Sequence, residues 1–164
     1  MPLNRKNINL KSAEVDKGNP VQSPDGKLMS LFDKAKLPAI TLNVEQFAFP
    51  ETFLVVEASR VPVYAKNEET GWDKKDANGN KTKTGEYNIR LQVVDGDAAQ
   101  KLVDAGLNIT GLSSIKLTIT KDLPLQEFEI NSTLVRPKKV NVMLGYGGMQ
   151  SDQIVLVAED CEIG

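Results

Sequence analysis

Apolar and polar residues alternate from Ile40 onward, and no sustained period precedes it. Ile40, Leu42 and Val44 alternate with Thr41, Asn43 and Glu45, the period of two that a half-buried strand requires. Residues 52–66 read as one long strand with Pro62 inside it. Proline has no N–H to give a strand ladder, so the second half of this strand is expected at an edge or a bulge. Residues 67–85 are polar and rich in Gly, Asn and Lys, and residues 86–95 alternate again through Tyr87, Ile89, Leu91 and Val93. Two long strands joined by a polar excursion predict an extended hairpin. Over residues 97–105 the period changes. Ala98, Ala99, Leu102, Val103 and Ala105 share one helical side, and Gly106 suits the C-terminal cap. Further strands are expected over residues 115–119, over 133–144 with a break near Arg136-Pro137, and over 153–158, with Gly145-Tyr146-Gly147-Gly148 as a flexible turn.

This order has no fixed-period repeat and no strand–helix alternation, which excludes a doubly wound sheet and favours an antiparallel barrel or sandwich. The expected fold is mainly β. It is a five-stranded OB-like Greek-key barrel with one short helix between the third and fourth strands and an extra C-terminal strand, spanning residues 39–164. Residues 1–38 carry the turn signals Asn19-Pro20 and Ser23-Pro24-Asp25-Gly26 and are expected to form a flexible, disordered tail. Within that tail Leu28, Met29, Leu31 and Phe32 form an apolar cluster. It either packs on the body or docks on a neighbouring subunit, which makes it the candidate oligomerisation element.

Composition narrows the chemistry. The 164 residues suit one domain. There is no histidine and one cysteine, Cys161, so Ser-His-Asp and Cys-His catalysis and zinc sites are not expected, nor is a disulfide within the chain. The formal charge of −2 divides unevenly: residues 1–38 carry +3 and residues 39–164 carry −5. A mildly acidic body leaves room for a basic groove but not for a uniformly basic surface. No apolar run reaches the ~18 residues of a membrane span, and residues 1–12 are polar without an apolar signal core. Cytoplasmic residence without membrane association is the expectation.

The polar excursion is the most informative segment. It holds the single tryptophan, Trp72, among Lys66, Lys74, Lys75, Lys81 and Lys83, with Tyr64 and Tyr87 at the two strand ends. Single-strand binders combine cations near phosphates with flat rings on which bases stack. The same composition also describes a solvated loop in which Glu68, Glu69, Asp73 and Asp76 cancel the lysines. Arg60 and Arg90 fall on neighbouring strands of the hairpin, and Arg136-Pro137-Lys138-Lys139 adds a short basic run. These are phosphate-contact candidates or members of an ordinary polar face. Gly145-Tyr146-Gly147-Gly148-Met149 lacks the Lys-Ser/Thr ending of a nucleotide loop. The run from Asp73 to Asn80 lacks the closing glutamate of a calcium loop. Glu159, Asp160 and Glu162 are expected as a solvated acidic end after the last strand.

The segments Ser59-Arg60-Val61-Pro62-Val63-Tyr64, the arm after them, and Ile154-Val155-Leu156-Val157-Ala158-Glu159-Asp160 together resemble the OB-fold single-stranded-DNA-binding accessory proteins of Gram-positive conjugative plasmids and transposons. The resemblance covers roughly residues 40–162 and lies in layout. It implies binding of transferred or replicating single strands, without base specificity and often by several subunits in a row. The chain departs from it in its acidic body and in having only nine aromatic residues.

The functional expectation is sequence-independent single-stranded DNA binding in DNA transfer or replication of a mobile element. Arg60, Tyr64, Lys66, Trp72, Lys74, Lys75, Tyr87, Arg90, Lys138 and Lys139 are the candidate contacts, and no cofactor or metal is needed. The alternative is a structural or assembly protein of a phage or mobile element acting through protein–protein contacts. A carboxylate-only enzyme would need two acids fixed opposite each other, and no such pair is evident in the sequence.

Overall fold

The structure, a computed structural model, describes residues 40–144 and 153–164. The oligomerisation candidates Leu28, Met29, Leu31 and Phe32, the tail to residue 38 and the Gly145–Met149 turn lie outside the described residues. The chain is mainly β. Among the described residues the strands are β1 (Ile40–Leu42), β2 (Phe53–Tyr64), β3 (Lys83–Asp95), β4 (Ile115–Ile119), β5 (Leu134–Leu144) and β6 (Ile154–Ile163), with one α-helix, α1 (Gly96–Asp104), between β3 and β4. Counted over all six strands the helix follows the third, as expected, but the first of these is the short β1 at the sheet edge rather than a full strand.

The alternating pattern of β2 and β3 produces the expected long hairpin. Val55 pairs with Val93, Ala58 with Leu91 and Arg60 with Ile89, so one face carries the apolar residues. Ile89, Leu91 and Val93 are completely buried, as are Val55, Leu117, Ile119 and Val135. They form one core with Phe53, Phe128, Val142, Leu156 and Ala158. Full burial of each such side chain contributes ~1.5–3 kcal/mol. A register shift between Val55 and Glu57 bends β2, and a second lies between Pro62 and Tyr64. The proline thus sits beside a bulge, the position its missing donor requires.

Three features differ from the sequence expectation. The C-terminal strand is not an appendage: β6 pairs in parallel with β4 and antiparallel with β5 along most of its length. Its Val155, Leu156, Val157 and Ala158 are all buried, which suits an unbroken apolar run covered on both faces. The marginal strand is β1, three residues long and paired only with β5. Finally, β5 is not broken at Arg136-Pro137, because Arg136 pairs with Glu162 and Pro137 with Cys161. The backbone irregularity falls instead at Lys139, whose φ is +52°.

Helix α1 begins where Asp95 Oδ1 accepts the N–H groups of Asp97 and Ala98 at 2.9 and 3.0 Å, an N-cap that satisfies two donors lacking helical partners. It ends at Gly106, whose φ is +69°. Its Ala99 packs with Leu54 and Val94 in a second small cluster. The helix therefore covers the side of β2 and β3 that faces away from the main core, near the end of the hairpin remote from its arm.

Candidate nucleic-acid interface

Strand alternation places Arg60, Pro62 and Tyr64 on one side of β2. Arg60 pairs with the buried Ile89, Pro62 with Tyr87 and Tyr64 with Lys83. This side is the continuation of the core face beyond the point where the core ends. There the Arg60 guanidinium lies 3.8 Å from the centre of the Tyr87 ring, and the Lys81 ammonium lies 5.3 Å from the centre of the Tyr64 ring. Both are within the range of cation–π attraction. Two half-buried rings, each with a cation over its face, thus stand near the point where the hairpin leaves the body.

Arg60 is held from a second direction. Its Nε and Nη2 donate to the two carboxylate oxygens of Asp122 at 2.8 and 2.6 Å, a bidentate fork of the kind guanidinium makes with carboxylate or phosphate. The hydrogen bond from Arg60 holds the Asp122 carboxyl below its ordinary pKa, and the same bond raises that of Arg60. Asp122 follows β4 in the chain and gave no signal in the sequence, since 62 residues separate it from its partner.

The arm is more structured than a polar excursion suggests. Ala65 N donates to Thr82 O, Lys74 N to Ala65 O and Thr82 N to Lys74 O, at 2.8–2.9 Å. Lys66 bridges to Asp73 and Lys75 to Lys81, so three short segments lie side by side. Asp73 receives both Lys66 and Lys81 in ion pairs. Hydrogen bonds from these two ammonium groups lower its pKa to about 2. Asp76 Oδ1 accepts Asn78 N and Asn80 N at 2.9 Å each, closing a turn in which Gly79 takes a φ of +82°. Asp73 and Asp76 thus serve lysines and backbone donors. Among the described residues no cluster of acidic or cysteine side chains is arranged to hold a metal ion. Trp72 stands on the arm, 56 % exposed. Among the described residues no ion pair engages Lys74, Lys75 or Lys83.

The remaining candidates lie elsewhere. Arg90 pairs with Ser59 and with Thr118, one residue out of phase with Ile89, so it sits on the opposite side of the sheet from Arg60. Lys138 and Lys139 belong to the β5–β6 pair and are matched by acids. Lys138 lies 2.9 Å from Glu162 and Lys139 2.5 Å from Glu159, while Lys121 takes Asp160 at 2.6 Å. The expected acidic end is therefore the partner of the basic run. Hydrogen bonds across the strands raise the pKa of Lys138 and Lys139 and lower that of Glu162. Cys161, half-buried against the main core, has its thiol pKa raised to about 11, mainly by burial.

The described geometry thus joins Arg60 to Tyr87 and Asp122, and Tyr64 to Lys81, sets Arg90 on the opposite side of the sheet, and pairs Lys138 and Lys139 with Glu162 and Glu159. Among the described residues no helix is long and apolar enough to cross a membrane. No protein-family profile, curated protein or solved structure matches this chain.

Proposed function

We propose that the chain binds single-stranded DNA without sequence preference, in the transfer or replication of a mobile element, through the face that carries Arg60, Tyr64 and Tyr87. The observation that carries the proposal is the pair of ring–cation contacts, Arg60 on Tyr87 and Lys81 on Tyr64, where the β2–β3 hairpin leaves the body. Bases stack on such a platform whatever their identity, each contributing ~1–3 kcal/mol. Lys74, Lys75 and Lys83 along the arm supply the charge that follows the phosphates. Arg90, Lys138 and Lys139 have no part in this path, and Trp72 extends it if the arm folds over bound strand.

The strand pairings support an OB-like barrel as its framework. Linked β2–β3, β3–β4, β4–β6, β6–β5 and β5–β2, they return to their start, with a parallel link between the third and fifth of these strands. The last link is two residue pairs, Phe53 with Val135 and Leu54 with Leu134. In this frame β1 stands outside the barrel and the helix follows its second strand.

A fluorescently labelled oligothymidylate, titrated with the protein at low salt and followed by anisotropy, tests the proposal. Binding should appear below ~100 µM and weaken as salt rises, because neutralised phosphates release counterions. An unchanged anisotropy at that concentration contradicts it.

An assembly role is the second possibility. It is favoured by an apolar pocket of about 240 Å³ at the other end of the hairpin, lined in part by Phe47, Phe49, Phe53, Ile115 and Ile154. An assembly protein should lose its oligomer, measured as mass in solution, when residues 1–36 are removed. A DNA groove within the body should keep its ligand.

A further inference from the structure

We infer that Asp122 occupies a phosphate subsite: its carboxylate sits where a backbone phosphate of the bound strand is received by Arg60, and it must leave for that phosphate to enter. The inference rests on the nucleic-acid proposal and goes beyond it by naming one ligand position and its resident competitor. Two observations converge on it. The Arg60 guanidinium already has one face committed to Tyr87, at 3.8 Å, so only its edge and its outer face remain for a ligand. The edge, with Nε and Nη2, is fully engaged by the two oxygens of Asp122 at 2.8 and 2.6 Å. A phosphate diester presents two unesterified oxygens with nearly the same spacing and charge, so it can replace the carboxylate bond for bond.

The site is built for exchange. Both side chains are nearly half exposed, at 43 and 46 %, so neither is locked in by burial, and an exposed pair holds its partner weakly. Tyr87 meets the face of the guanidinium and Asp122 its edge, so the ring still offers an orienting contact when the carboxylate departs. Its outer face then lies flat beside the entering phosphate and can carry the adjoining base. The result is a selective threshold: a single anion gains little over the resident carboxylate, whereas a strand gains the phosphate contact together with stacking on Tyr64 and the arm lysines.

Asp122→Asn keeps the size of the side chain and removes the competing charge. Titrated with the labelled oligothymidylate, it should bind about two- to fivefold more tightly than the wild type, the fold-change expected for releasing an exposed ion pair. Asp122→Ala should give the same gain. Asp97→Asn, on α1 at the far end of the hairpin, controls for net charge and should shift affinity by less than about 1.5-fold, as a remote exposed charge does. In an Arg60→Ala background, Asp122→Asn should give no gain, because the two residues act as one unit. Equal or weaker binding by both Asp122 variants, beside a wild type that binds, overturns the subsite and leaves the DNA proposal standing. That result would make Asp122 a support that positions Arg60. Absence of binding by the wild type and every variant overturns both.

Discussion

Lys81 Nζ lies 2.8 Å from Asp73 Oδ2 while also standing over the Tyr64 ring. One lysine therefore ties the arm to the aromatic face. Asp73 carries the other end of that tie and takes Lys66 as well, so a single carboxylate organises three segments of the arm.

Asp73→Asn should loosen the arm without unfolding the body. Hydrogen exchange should quicken at the amides of Ala65, Lys74 and Thr82 and remain unchanged at Leu91 and Leu117. The same effect should follow from acid. The folded pKa of about 2 lies below the ordinary aspartate value of 3.8. The stabilisation is therefore complete above the unfolded value and lost as pH falls through the folded one. Loosening between about pH 4 and pH 2, followed by Trp72 fluorescence, is the expected outcome.

Lysine replacements should separate the two basic regions. Lys74→Ala and Lys75→Ala should each lower the salt slope of oligonucleotide binding by about one unit, as loss of a phosphate contact does. Lys138→Ala and Lys139→Ala should lower the slope less, since the neighbouring Glu162 and Glu159 offset the charge of those side chains. Parallel titrations at several salt concentrations measure it.

Gly96→Ala should destabilise the fold by ~1–3 kcal/mol. A Cβ there would stand 2.6 Å from Thr52 Oγ1 and 2.8 Å from the Thr52 carbonyl oxygen, and the backbone oxygen cannot swing aside because it accepts Gly96 N–H at 2.9 Å. Leu91→Ala, in the main core, should cost ~2–5 kcal/mol. Urea denaturation of the two variants checks both figures.

Cys161 should resist modification in the native protein. Its pKa of about 11 leaves almost no thiolate near neutral pH. A thiol reagent at pH 7.5 should label it far more slowly than it labels the urea-unfolded chain.

Much of the fold was legible because it rests on local periodicity. The alternation through Tyr87, Ile89, Leu91 and Val93 predicted a strand, its apolar face and its place in a hairpin, and the change of period after Asp95 predicted the helix. What could not be read was pairing at a distance. The apolar run Val155-Leu156-Val157-Ala158 reads only as an added terminal strand in the sequence, and it takes the β4–β6 and β5–β6 ladders to show it as interior. The same divide runs through the candidate site. The spacing of Arg60 and Tyr64, four residues apart in a strand, is enough to put them on one side. The opposed facing of Arg90 needed the register, and the partners Asp122, Glu159 and Glu162 needed the fold, because ion pairs between remote residues leave no trace in spacing.

Backbone and side-chain chemical shifts recorded during titration with oligothymidylate test the central claim most directly. Shifts gathered on Arg60, Tyr64, Tyr87, Lys81 and Lys83, with Lys138, Lys139 and Glu162 unmoved, are predicted. Shifts confined to β5 and β6, or gathered on Phe49 and Ile154 at the other end of the hairpin, would contradict it.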